Sequence, residues 1–360
     1  MKALFLDAPG TWAVREIPAP QMGPGDVLLR VRYVGLCGTD LSTFRGKNAL
    51  VQFPRIPGHE ISAIIERAGA DVPPLLVPGT NVTLLPYKSC GNCPSCRQGR
   101  FNTCRANQTL GVQRDGAMAE WIVVPWEKVR TSAKLSLREL CLVEPLTIGA
   151  HAVSRGRVTA RDTVLVIGCG TVGLGAIAAA AHRGASVIAL DMDDGKLAVA
   201  KRAGAAHTIR ADQNEGAAGT SVREKLLALT SGDGPGVVIE AVGTPETFRL
   251  AVEVAAFAGR VVYIGFAKEP VSYETRWFVL KELDIMGSRN ATPEDFEAVI
   301  AMLERGEFPV DETIGSVVPL EKAGEALRAW SENPFSFRKI QVEVTPAAPL
   351  PRAHPLLNFS

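Results

Sequence analysis

Val164-Leu165-Val166-Ile167 is an unbroken apolar run, and Gly168-Cys169-Gly170-Thr171-Val172-Gly173 follows it directly. An Ala-rich stretch then continues to about Arg183. Strand, glycine turn and helix in immediate succession leave few folds open. A strand apolar on both faces belongs inside a parallel sheet. The same alternation recurs downstream. Val187-Ile188-Ala189-Leu190-Asp191 reads as the next strand and Lys196 to Ala203 as the next helix. Val237 to Glu240 and Arg260 to Ile264 are two more strands, separated by a helix through Phe248–Ala255. This order predicts a doubly wound parallel sheet.

The glycine turn also has a chemical use. G-x-G-x-x-G between a strand and a helix points to a dinucleotide. Gly168 makes the tight turn, Gly170 lets the backbone approach a pyrophosphate, and Gly173 lets helix and strand pack closely. The helix N-terminus at Thr171 and Val172 favours phosphate charge. Asp191 lies eighteen residues past Gly173, at the end of the second strand. A carboxylate there accepts from both adenosine ribose hydroxyls and repels a 2′-phosphate, which favours NAD over NADP. Asp193 and Asp194 add charge of the same sign.

The rest of the chain is different. Asp26 to Val34, Ile61 to Ala68 and Val82 to Leu85 read as strands, and no long helical period appears before Leu135. From about 290 the pattern is mixed, with helices through Asp295–Leu303 and Glu321–Trp330 and a last strand from Lys339 to Val344. We expect residues 1–147 and 290–345 to form one mainly β domain, 148–289 the nucleotide domain, and 346–360 a poorly ordered tail. A net charge of about +1 gives no reason to expect a nucleic-acid or membrane partner. No apolar run reaches the roughly 18 residues of a membrane helix. The start, Met1 to Leu6, lacks the features of a signal peptide.

Four of the seven cysteines are bunched, which suits metal sites in a reducing cytoplasm. Cys90, Cys93, Cys96 and Cys104 form C-x2-C-x2-C-x7-C in a lobe at 88–105. Four thiolates close a tetrahedral zinc site, which then holds a loop in place. An iron–sulfur run would bring its last Cys after three residues, followed by Pro; here the gap is seven and Arg105 follows. A second set is Cys37, His59 and Glu60, with Gly on both sides of Cys37 and before His59. It looks like an open, catalytic zinc site. Glu144, between Val143 and Pro145, is a buried carboxylate that wants a cation, and is the candidate fourth group.

Gly35-Leu36-Cys37-Gly38-Thr39-Asp40, Gly58-His59-Glu60, the four-Cys lobe and the G-x-G-x-x-G stand in this order. Together they resemble the zinc-dependent medium-chain alcohol dehydrogenases, over about residues 1–345. Val143 to Ala152 is similar to the sorbitol and polyol dehydrogenase branch. Ile264-Gly265-Phe266, Lys281-Glu282-Leu283 and Gly287-Ser288-Arg289 are closer to bacterial sugar-acid enzymes of the L-galactonate 5-dehydrogenase kind. The resemblance implies an α/β fold: a GroES-like, mainly β catalytic domain plus a doubly wound Rossmann domain. It implies two zincs per chain and NAD, in a cytoplasmic enzyme that forms homodimers or homotetramers.

Carried over by position, the resemblance implies Cys37, His59 and Glu60 as ligands of the catalytic zinc. Glu144 is a further ligand or a hydrogen-bond partner of the zinc-bound water; both arrangements stay open. Thr39 passes the substrate proton on. Many relatives carry a His where Ser42 stands, so the proton leaves through Ser42, water or the cofactor ribose. Lys196, Gly243 and Arg338 join the cofactor site. Thr43, Phe44, Phe53 and Arg289 fall at the substrate pocket, with Arg45, Lys47 and Arg55 as further cations for a sugar-acid carboxylate. The implied reaction is oxidation of a secondary alcohol of a polyol, sugar or sugar acid. An L-threonine 3-dehydrogenase-like enzyme and a non-catalytic NAD-binding zinc protein are the alternatives. Cys141 and Cys169 read as core or loop thiols. His151, His182, His207 and His354 have no partner by spacing, and His151 is expected to pack at the start of the Rossmann domain.

Overall fold

The computed structural model describes residues 1–211, 221–334 and 337–345; the expected tail at 346–360 lies outside them. Strand Asp26–Leu36 organises a seven-stranded sheet. It pairs antiparallel with Glu60–Ala68, Trp121–Pro125 and Lys339–Glu343. Val27, Leu29, Val31 and Val34 are fully buried and pack with Ile61, Ala63, Ile65, Val82 and Leu84. This apolar layer holds the sheet together, at about 1.5–3 kcal/mol per buried Val, Leu or Ile side chain. The register sets Gly35 opposite both Glu60 and Gln341, and Leu36 opposite Ile340. Three segments remote in sequence therefore meet where the central strand ends.

The second sheet has six parallel strands in the order His207–Arg210, Ser186–Asp191, Thr163–Ile167, Val237–Glu240, Arg260–Tyr263, Asp284–Gly287. The order reverses beside Thr163–Ile167, which opens a crevice at the carboxyl ends of the strands. The sequence reading has neither His207–Arg210 nor Asp284–Gly287. Both are edge strands with mostly exposed side chains, so they lack the apolar run that marks their neighbours.

Helix Leu137–Arg155 lies between the two sheets. Ser136 and Glu139 start it with a capping box. The expected division at 147/148 falls inside this helix, which continues through it. It crosses helix Thr171–His182 at close range: a Cβ on Gly149 would stand 2.2 Å from the Ala176 nitrogen, and one on Gly175 2.4 Å from the Leu146 oxygen. Its other side packs on helix Pro293–Glu304, where Phe296 is fully buried.

His151, on this long helix, has two partners that its spacing did not reveal. Its Nδ1 donates to Asp295 Oδ2 at 2.7 Å, and its Nε2 accepts from Asn102 Nδ2 at 3.1 Å. The second hydrogen of that amide goes to the Arg289 carbonyl at 2.9 Å, which settles the imidazole tautomer. Burial works to raise the Asp295 pKa, but hydrogen bonds from His151 and Thr292 hold it below the usual range. His151→Leu removes a partner from two buried polar groups, Asp295 and Asn102. We expect a loss of about 2–3 kcal/mol in urea unfolding; a change below about 0.5 kcal/mol would show that the network carries little weight.

Candidate active site

Cys37 ends the central strand and caps the seven-residue helix Gly38–Phe44. Its Sγ accepts from the Thr39 amide at 3.2 Å, and its own amide donates to Asp40 Oδ2 at 3.0 Å. His59 stands just before strand Glu60–Ala68, after a turn in which Gly58 has φ +103°. Its Nε2 lies 3.0 Å from Cys37 Sγ. Its Nδ1 is buried and has no hydrogen-bond partner among the described residues. Asp40 completes a tight group of donor atoms with Cys37 and His59, while Glu60 and Glu144 stand outside that group. Sequence reasoning missed Asp40, and its signal was the capping position three residues past Cys37.

Glu60 has a partner of its own. Lys339 Nζ donates to Oε1 at 2.7 Å, to Oε2 at 2.6 Å, and to the Leu36 carbonyl at 2.9 Å. All three groups are buried. Gly35 leaves the space this needs, because a Cβ there would stand 1.9 Å from Glu60 Oε2. Lys339 opens the last strand. Only the pairing with Leu36 and Gly35 places it in the core.

Glu144 is also buried, on helix Leu137–Arg155, and its Oε1 accepts from the Tyr87 hydroxyl. Burial pushes its pKa up to about 7, against the pull of His59. The negative surroundings act on His59 in turn. Burial works to lower its pKa, but Cys37 and Asp40 raise it well above the ordinary value. A thiol, an imidazole with an orphaned nitrogen and a crowd of buried carboxylates fit a divalent cation, and the S/N/O donor set suits zinc.

The four-Cys lobe fits zinc on independent grounds. Cys93 and Cys96 sulfurs are 3.5 Å apart, Cys93 and Cys104 3.9 Å, and Cys104 and Cys90 3.5 Å. A tetrahedron with Zn–S of about 2.3 Å has edges of about 3.8 Å.

A cavity of about 550 Å³ occupies the crevice of the parallel sheet. The glycine turn, Asp191, Lys196 and Arg338 line one part of it; Leu36, Cys37 and Glu60 line another. A Cβ on Gly173 would stand 1.8 Å from the Gly168 oxygen, whereas one on Gly170 would meet nothing within 4 Å. Gly173 therefore serves packing, and Gly170 keeps the cradle open to a phosphate. Asp191 accepts from the amides of Cys169 at 2.7 Å and Asp193 at 3.0 Å. Arg338 donates to the Glu312 carbonyl at 2.7 Å. Gly243, with φ +87°, turns the chain beside the lining residues Ala241 and Val242.

The expected substrate contacts are only partly brought together. Thr43 is buried, and its hydroxyl donates to the Thr39 carbonyl at 2.9 Å and accepts from Asn48 at 3.1 Å. Phe44 is buried and stacks at a tilt on Trp12, 5.9 Å away. Phe53 packs on the same core. None of the three lines this cavity, and neither does Arg289. Arg45 is spent on Ser331, and Arg55 on Asp115. Arg289 and Lys47 are exposed, and neither side chain has a hydrogen bond or ion pair among the described residues. Cys141 and Cys169 are buried; the first donates to the Glu60 carbonyl at 3.4 Å. His182 meets Arg305 at 3.2 Å, a further partner that spacing did not show. Among the described residues no helix is long and apolar enough to cross a membrane.

Comparison with known proteins agrees with this site. Residues 23–133 match the family model of an alcohol dehydrogenase GroES-like domain, and residues 171–305 that of a zinc-binding dehydrogenase. A zinc-type alcohol dehydrogenase-like protein of Haemophilus influenzae, itself uncharacterised, is 33% identical over 94% of this chain and 98% of its own length. L-galactonate-5-dehydrogenase of Escherichia coli is 34% identical over 83% of this chain and 86% of that protein. An alcohol dehydrogenase of E. coli CFT073, solved with NADH, superposes with a TM-score of 0.86 at 30% identity, over 96% of this chain and 99% of that one. With a relative a third identical along nearly its whole length and both family models in register, the chain belongs to the zinc-type medium-chain alcohol dehydrogenases.

Proposed function

We propose that this enzyme oxidises a secondary alcohol of a polyol, sugar or sugar acid, with NAD as hydride acceptor. The observation that carries the proposal is the single cavity that holds the glycine turn and reaches Cys37 and Glu60. Cys37 and His59 would hold the catalytic zinc together with Glu144, because the Cys37 amide engages Asp40 Oδ2 and Lys339 engages both oxygens of Glu60, whereas only Oε1 of Glu144 is taken. Cys90, Cys93, Cys96 and Cys104 would hold the second. When bound, the catalytic zinc polarises the substrate hydroxyl and lowers its pKa. The Thr39 hydroxyl takes up the proton, and Ser42, three residues further on the same short helix, continues the route outward. Asp191 accepts the ribose hydroxyls and rejects a 2′-phosphate. Arg289 offers a free guanidinium to a substrate carboxylate, which it can bind bidentately.

A screen of NAD reduction over polyols, aldoses, aldonates and L-threonine tests the reading. We expect turnover of aldonates of the L-galactonate type, with Arg289→Ala raising their KM about 10–100-fold, the loss of one charged hydrogen-bonded pair. Equal turnover of sorbitol by wild type and variant, with none of any acid, would remove the sugar-acid assignment. Preference for NADP would remove the role of Asp191. A chain with one zinc and no turnover would favour the non-catalytic alternative.

A further inference from the structure

The four-cysteine lobe touches the long helix at two buried points. Tyr87 stands on the two-residue strand Tyr87–Lys88, which pairs with Gln108–Thr109, so this ribbon closes the base of the lobe. Its hydroxyl donates to Glu144 Oε1. Asn102, inside the lobe, donates to His151. Glu144 and His151 are seven residues apart on helix Leu137–Arg155, two turns along one face. Tyr87 and Glu144 are both buried, and the ring belongs to the core that surrounds the helix.

We propose that Tyr87 is a positioning residue through which the four-cysteine lobe fixes the Glu144 carboxylate at the catalytic metal. The inference rests on the reading of Glu144 as part of that metal site. A phenol has one proton to give, and it goes to Oε1. Among the described residues Oε2 accepts no hydrogen bond, so that oxygen is the one left for a cation or its water. Pro145 has no N–H, so the Cys141 carbonyl loses its helical partner one turn before. The helix thus lacks one backbone hydrogen bond in the turn before Glu144, where the contact from Tyr87 is made. The lobe then does more than hold its own loop: it sets the direction of a group that the metal needs.

The test uses the full-length holoenzyme with cobalt exchanged into the catalytic site. Three forms are compared: wild type, Tyr87→Phe and Glu144→Gln. The readouts are the visible ligand-field bands of cobalt and the rate of metal loss to a chelator. Outer partners of metal ligands contribute about 10–100-fold to metal affinity. We expect Tyr87→Phe to shift the bands and to speed metal loss by about that factor, with kcat falling more than KM rises. Bands and release rate like wild type in Tyr87→Phe, together with a shift in Glu144→Gln, would overturn the role of Tyr87 while leaving Glu144 at the metal. No shift in Glu144→Gln would remove the underlying reading and the inference with it. Should Tyr87→Phe not load metal, Asn102→Ala loosens the same lobe from the same helix. It is expected to shift the bands in a smaller degree, and an unchanged spectrum overturns the coupling.

Discussion

Lys339→Met is expected to destabilise the protein by about 3–5 kcal/mol, the cost of stranding a buried charge. Lys339 spends all three of its protons inside the fold, two on Glu60 and one on the Leu36 carbonyl. Burial works to lower its pKa, but the Glu60 charge prevails and the value is raised. Met matches the stem in length and gives no proton, so the Glu60 carboxylate is left buried and unpaired. Adding Glu60→Met should restore most of the loss, because an apolar pair of similar volume often replaces a buried ion pair at little cost. Urea unfolding of the wild type, the single and the double variant makes the comparison. A single variant within about 1 kcal/mol of wild type would mean that the carboxylate finds water or takes a proton at little cost.

Cys37→Ala is expected to lower turnover by on the order of 1000-fold, the several kcal/mol that Lewis-acid activation supplies. Zinc per chain should fall by one. The thiol is also a helix cap, so about 1 kcal/mol of stability goes with it. That loss is too small to unfold the chain, and the two effects separate in a thermal melt. NADH binding, followed by fluorescence, should change by less than about threefold, because the glycine turn and Asp191 stand on the other sheet. Full metal content, or turnover within about tenfold of wild type, would remove Cys37 from the site.

Legibility followed the range of the interactions. Strand Thr163–Ile167, its glycine turn and the helix after it are local features, and the pattern of apolar residues carries them. His207–Arg210 and Asp284–Gly287 are strands because of a neighbour on one side, which a single segment does not reveal. At the site, Cys37 and His59 stand beside glycine turns that can be seen in sequence. Lys339 and Tyr87 cannot be found that way. Lys339 is 279 residues from the carboxylate it holds and Tyr87 is 57. The burial of Thr43 and Phe44 was hidden for a related reason. Position in the chain places them near the pocket, but their helix has only seven residues, and its inward face takes both into the core.

The connection between the two sheets has a mechanical side. The chain crosses from one to the other twice, once through Leu137–Arg155 and once through the segment from Ser288 to Thr313. The first crossing is a stiff rod, and at Gly149 and Gly175 it lies against its neighbour with no slack for sliding. The second is tied down by Asn102, which holds the Arg289 carbonyl and receives Asn290 at 2.9 Å on its own. The two sheets are therefore joined at two separate places, one by close helix packing and one by paired amides.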